Sequence, residues 1–152
     1  MQEASGPRAV RKRRRLGAWR AFLVAQALLA RRLDDELHSR HGLSLAEYDA
    51  LAQLAEAPER RLRMNELADR VLLSRSGVTR LVDRLVAAGL VRRDQCLTDA
   101  RGAWAVLTEA GLERLRRASR THLRGVIRHF LDVIDPADTR PVRLRGLAML
   151  RN

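Results

Sequence analysis

Cysteine is almost absent from this chain: Cys96 is the only one among 152 residues, so no intrachain disulfide can form and a reducing compartment fits. Aromatic residues make up only 3% of a chain that is 46% hydrophobic. A core built from Leu, Ala and Val favours packed helices over an aromatic-rich sandwich. Charges interrupt every apolar run before it reaches the length of a membrane span. The basic N-terminus lacks a following apolar signal region, so a cytoplasmic location is expected. Also missing are a glycine loop that would cradle phosphates, a Ser/His/Asp order and paired carboxylates on one face. Catalysis needs such a constellation, and no enzyme activity or cofactor is expected.

What is abundant is positive charge. The formal net charge is +12, and nearly all of it is arginine, since Lys12 is the only lysine. Biased codon usage could explain the choice of arginine over lysine, but not the excess of basic over acidic residues. A charge so far from neutral points to a polyanion, either nucleic acid or an anionic surface. Arginine suits bidentate contacts to phosphates and bases. Residues 1–15 hold six basic residues against Glu3 alone. They read as a disordered basic arm, either merely solvated or tracking DNA phosphates. They lack interleaved Trp or Phe anchors, which argues against a membrane surface.

Residues 16–152 form one domain. Trp19, Phe22/Leu23, Gln26, Leu29, Leu33 and Leu37 recur at helical steps until Gly42. Ser44 and Glu47 form a capping box for a second helix ending before Pro58. A short connection, with room for a minimal strand, spans 59–62. Thr108 and Gly111 open a long helix running to about residue 134. Asp135-Pro136 breaks the pattern, and residues 144–150 begin a last helix.

Between these lie MNELADRVL (64–72) and SRSGVTRLVDRLVAAG (74–89). Small Ala68 in the first allows a crossing helix to come close. In the second, Ser74 is the N-cap, and Val78, Leu81, Val82 and Leu85 share one face. Ser76, Thr79, Arg80 and Asp83 stand opposite, with Arg75 and Arg84 at the flanks. A buried face backed by arginines and hydroxyls is what a recognition helix requires. Asp83 would be repelled by phosphate, so it is expected to pair with Arg80 or another arginine. After Gly89 the chain alternates as a hairpin with its turn at 98–102, and Arg101 at the tip is placed to enter a minor groove. The fold class expected is mainly α with a small β-hairpin wing, a winged helix-turn-helix.

The run LSRSGVTRLVDRLVAAGLVRR, then DARG in the turn, then AVLTEAG resembles the MarR family of bacterial transcriptional regulators over about residues 16–150. The resemblance implies a winged module at about 44–110 and dimerisation helices at about 16–41 and 111–150. It implies a homodimer on double-stranded DNA, with recognition helices in successive major grooves of a pseudo-palindromic operator. Ser74, Arg75, Ser76, Gly77, Thr79, Arg80 and Arg84 fall on the recognition helix, and Asp99, Arg101 and Gly102 match the wing, where the acid braces the arginine. The implied function is a sequence-specific regulator, a repressor that releases DNA when a small aromatic or anionic effector binds. Trp19, Phe22, Tyr48 and Asp49 are candidates to line that cleft. The urate-responsive branch offers a loose parallel.

Two branches of the family fit less well. Peroxide sensors carry a cysteine near the start of the first helix, where this chain has none, so Cys96 reads as a bystander. His38/His41 and His122/His129 lack the closer pair of the zinc-responsive branch, and solvated or capping histidines are expected instead of a metal site. The competing reading is an architectural, nucleoid-type DNA binder that uses the same basic face without switching.

Overall fold

The structure, a computed structural model, describes the backbone of residues 7–95 and 103–133 and, within those ranges, the side chains from residue 16 onward. Helix α1 spans Pro7–His41. The basic segment expected as a disordered arm to residue 15 is therefore helical from Pro7. Proline is preorganised for the first helical position, and the Arg and Ala that follow are strong helix formers. These preferences outweigh like-charge repulsion worth only tenths of a kcal/mol per pair.

Helix α2 (Leu45–Glu56) begins with the anticipated capping box: the Glu47 N–H donates to Ser44 Oγ, and the Ser44 N–H to Glu47 Oε2 at 2.9 Å. A 3-10 turn at Pro58–Arg60 leads into strand β1 (Arg61–Arg63), the minimal strand the spacing allowed. Helices α3 (Met64–Arg70) and α4 (Arg75–Ala87) follow, then strands β2 (Val91–Gln95) and β3 (Ala103–Leu107). Helix α5 (Glu109–Val126) runs into a wider π-turn at Ile127–Leu131. The sheet is antiparallel in the order β1-β3-β2, with Leu62 opposite Ala105 and Arg93 opposite Ala105. This is a winged helix-turn-helix carried between long helices.

One continuous core joins these elements, built from Leu37 of α1, Leu51 and Leu54 of α2, Leu67 of α3, Leu81 and Leu85 of α4, Val91 and Leu107 of the sheet, and Leu115 of α5. Leucines of this kind each contribute roughly 1.5–3 kcal/mol by leaving water. The aromatic stripe of α1 behaves differently. Trp19 and Phe22 are 56% and 60% exposed, and Leu16, Leu23, Val24 and Leu28 are exposed with them. The end of α5 and the π-turn after it show a similar face at Leu123, Ile127, Phe130 and Leu131.

Two backbone details set the geometry of the winged module. The α3–α4 turn passes through Leu72 at φ 54, and the Leu73 N–H donates to the Ala68 carbonyl at 3.0 Å. That position favours glycine, because a left-handed residue with a Cβ costs about 1–2 kcal/mol. At the other end of α4, Thr108 joins three elements. Its hydroxyl lies 2.8 Å from the Gly89 carbonyl and 3.0 Å from that of Leu90, and it accepts the Gly111 N–H at 3.0 Å. Gly111 must be glycine here, since a Cβ would stand 2.1 Å from the Leu90 carbonyl oxygen.

Three of the four histidines are built into helix contacts instead of being solvated, while His38 is exposed. His41 Nε2 lies 2.8 Å from Thr121 Oγ1 on α5, and Arg114 donates to the His41 carbonyl at 2.7 Å. His129 Nε2 lies 2.9 Å from Glu36 Oε1. His122 rests against Tyr48 with ring centroids 4.5 Å apart. His41 and His129 thus each have a partner on another helix.

Gly111→Ala is expected to cost roughly 1–3 kcal/mol in urea unfolding, through the forced shift of Leu90. Leu72→Gly should stabilise by about 0.5 kcal/mol, the left-handed strain relieved exceeding the added chain entropy. Burial, then the charges of Arg114, Arg40 and Arg117, hold the His41 imidazole below the ordinary histidine value of 6.5. The unfolded chain therefore takes up the proton first on acidification. The stability this histidine contributes is whole above that value and is lost as pH falls from there through the lower folded value. Melting temperature against pH should fall less steeply in His41→Gln than in the native chain.

Candidate nucleic-acid interface

Helix α4 divides into two faces along its length. Val78, Leu81, Val82 and Leu85 are buried, which holds the helix by its inner side. Arg75, Ser76, Thr79, Arg80, Asp83 and Arg84 are exposed on the other. Ser74 caps the helix by accepting the Gly77 N–H at 3.1 Å, and its hydroxyl lies 3.2 Å from that of Ser76. Thr79 donates back to the Arg75 carbonyl at 2.9 Å, which fixes its rotamer. The side chains of Arg75 and Arg80 make no ion pair or hydrogen bond among the described residues. Two cations and two hydroxyls therefore stand on an outward face, available to an external anion.

The acidic group on this face is occupied. Asp83 pairs with Arg93 at 2.7 Å, and Arg93 also donates to the Thr79 carbonyl at 3.3 Å. The expectation that Asp83 pairs with an arginine holds, and the partner is on β2 instead of α4. Alternation along β2 identifies it, because Arg92 and Arg93 must point to opposite faces of the sheet. Arg84 pairs with Glu47 of α2 at 2.8 Å, so it also ties α4 to the body of the domain. Burial alone would push the Glu47 carboxyl upward, but its bonds to Arg84 and Ser44 hold it below the usual carboxylate range. Neither Arg93 nor Glu47 was a site candidate from sequence, since a capping residue gives no sign of a second partner.

Strands β2 and β3 form the stem of the wing, and Trp104 on β3 lies beneath the guanidinium groups of Arg61 and Arg63, at 4.9 and 5.2 Å. Asp99, Arg101 and Gly102 of the turn, with Cys96, lie outside the described residues, as does the expected last helix at 144–150.

The four cleft candidates do not converge. Tyr48 and Asp49 line a cleft of about 650 Å³ between α1, α2 and α5, together with Arg31, Asp34 and His122. Phe22 instead lines a separate apolar groove of about 400 Å³ with Leu29, Phe130 and Val133. Trp19 stacks on Phe22 at 6.0 Å and is not among the residues that line the cleft of Tyr48 and Asp49. The reason is the length of α1. Eleven residues of helix separate Trp19 from Ala30 at the cleft, or about 16 Å at 1.5 Å per residue. His122 was missed as a cleft residue, because its place depends on how α5 crosses α2.

A sequence model of the MarR family matches residues 41–102. No curated protein sequence matches the chain. Among solved structures, Sco3205, a MarR family transcriptional regulator from Streptomyces coelicolor in complex with DNA, is 40% identical, covers 79% of this chain and 75% of its own, and superposes with a TM-score of 0.75. AbsC, a MarR family transcriptional regulator from the same organism, is 35% identical over 90% of this chain and 88% of its own, with a TM-score of 0.76. A MarR family transcriptional regulator from Silicibacter pomeroyi is 33% identical over 82% and 85%, with a TM-score of 0.66. With this identity carried across the helices on both sides of the winged module, the chain belongs to the MarR family of transcriptional regulators.

Proposed function

We propose that the chain is a sequence-specific DNA-binding repressor that acts as a homodimer on a pseudo-palindromic operator and responds to a small effector. The observation that carries this reading is the outer face of α4, where Arg75 and Arg80 have no partner among the described residues and Asp83 is already neutralised by Arg93. Arginines held on a rigid, inwardly anchored helix suit bidentate contacts to guanine edges in the major groove. Ser74, Ser76, Gly77 and Thr79 are small enough to let the helix approach the duplex. Arg84 contributes through its tie to Glu47, which holds α4 against α2. Asp99, Arg101 and Gly102 would form the wing tip in the adjacent minor groove, the acid bracing the arginine. That the 40% identical Sco3205 was solved in complex with DNA supports DNA as the partner.

Dimerisation is supported by the exposed apolar faces of α1 and the C-terminal end of α5, which are costly to leave in water. A two-fold axis through them would place two α4 helices in successive major grooves, with half-sites roughly 10 bp apart. The cleft between α1, α2 and α5 joins the dimer helices to the winged module. A molecule bound there could change the spacing of the two recognition helices.

Arg80→Ala should weaken operator binding by roughly 1–3 kcal/mol in fluorescence anisotropy and relax the preference at one base pair. An equal loss on operator and random duplex, with a salt slope smaller by about one, would make Arg80 a phosphate contact instead. Trp19→Glu should convert the dimer to a monomer by light scattering and lower operator affinity with it. A variant that stays dimeric would remove this face from the interface.

A further inference from the structure

The cleft between α1, α2 and α5 carries information about what it binds. Its polar lining is rich in acceptors. Asp34 and Asp49 face it as carboxylates, against the single cation Arg31, which is exposed to solvent. Asp34 Oδ1 is already engaged, accepting the Leu45 N–H at 2.6 Å. Asp49 accepts a hydrogen bond from the Gln53 side chain and forms no ion pair among the described residues; burial pushes its carboxyl above the usual carboxylate range. His122 Nδ1 is buried without a hydrogen-bond partner, and burial holds that imidazole below its ordinary value, so it stays neutral near pH 7. The His122 ring lies tilted by 32° against Tyr48, whose hydroxyl reaches Ser119 at 3.4 Å.

Asp49 is therefore a half-buried carboxylate with one amide donor and no counter-charge, and a further donor or a cation beside it lowers the cost of its burial. An anionic ligand would add a third negative charge beside two carboxylates in a site of reduced dielectric, where like charges repel strongly. A flat ring lying against Tyr48 and His122 while turning N–H groups toward Asp49 would bring donors to that carboxylate.

We infer that the effector of this cleft is a flat aromatic molecule bearing N–H donors, neutral or cationic, such as an amidine or an amino-substituted heterocycle. Of the two properties the family resemblance implies, aromatic and anionic, the cleft selects the first. The inference rests on the effector-responsive reading given above and specifies its chemistry.

Benzamidine and benzoate share a ring and a shape and differ in the sign of the substituent's charge, so calorimetric titration of the full-length chain with each is a direct test. Benzamidine is expected to bind at least about tenfold more tightly than benzoate. Asp49→Asn should weaken benzamidine by about tenfold, and Tyr48→Leu should weaken it comparably through loss of the ring contact. Far-UV circular dichroism establishes that each variant is folded. Should Asp49→Asn fail to fold, the comparison of Tyr48→Leu with the native chain carries the test. Preference for benzoate, no binding of benzamidine, or unchanged benzamidine affinity in a folded Asp49→Asn or Tyr48→Leu variant would overturn the inference. If benzamidine binds through Asp49 and operator anisotropy does not change, the ligand class stands and the effector-responsive reading fails.

Discussion

Everything the winged module presents depends on one small joint, where the hydroxyl of Thr108 meets the Gly89 and Leu90 carbonyls and the Gly111 N–H. It fastens the C-terminal end of α4, the root of the sheet and the N-terminus of α5 to a single side chain. The Gly111 contact leaves no room for a Cβ, so the spacing between strand and helix is set by backbone alone. Gly89 at φ +71 completes the joint by turning the chain out of α4. Because the joint is short and mostly backbone, the wing and α4 keep a fixed relative angle. Under the function proposed above, the two elements need this if both are to reach their grooves together.

Charge is arranged to the same end. Three acids at the module are paired internally: Asp83 with Arg93, Glu47 with Arg84, and Glu109 with Arg60 at 2.6 Å. At the surface such pairs contribute little stability, typically under about 1 kcal/mol. Their larger effect is on the field. Neutralising Asp83 in place leaves Arg75 and Arg80 to dominate the outer face of α4, as a polyanion partner demands. The net charge of +12 is therefore less informative than its distribution.

Local structure was legible wherever one physical signal decided it. The capping box at Ser44, the N-caps at Ser74 and Thr108, the glycine stop at Gly89 and the four-residue apolar face of α4 could be read residue by residue, and with them the winged fold. Properties that depend on long-range packing could not. The start of α1 at Pro7 escaped because charge density suggested disorder while helix propensity prevailed. Trp19 and Phe22 share a helical face with the core positions Leu33 and Leu37, yet both are exposed, and no helix among the described residues buries them. That same length of α1 separates Trp19 from Asp49. His122 enters the cleft only through the crossing of α5 over α2, which no spacing rule encodes. The sequence thus indicated the reading head more fully than the cleft.

The central claim is that the outer face of α4 reads a specific sequence. It is tested most directly by selecting bound duplexes from a random pool with the purified full-length protein. A dimer with two α4 helices on one face predicts enrichment of a pseudo-palindrome whose half-sites lie roughly 10 bp apart. It also predicts binding to that site at least about a thousandfold tighter than to random duplex. A pool that yields no common motif, with a specificity ratio near unity, would contradict it and leave a non-switching architectural binder in its place.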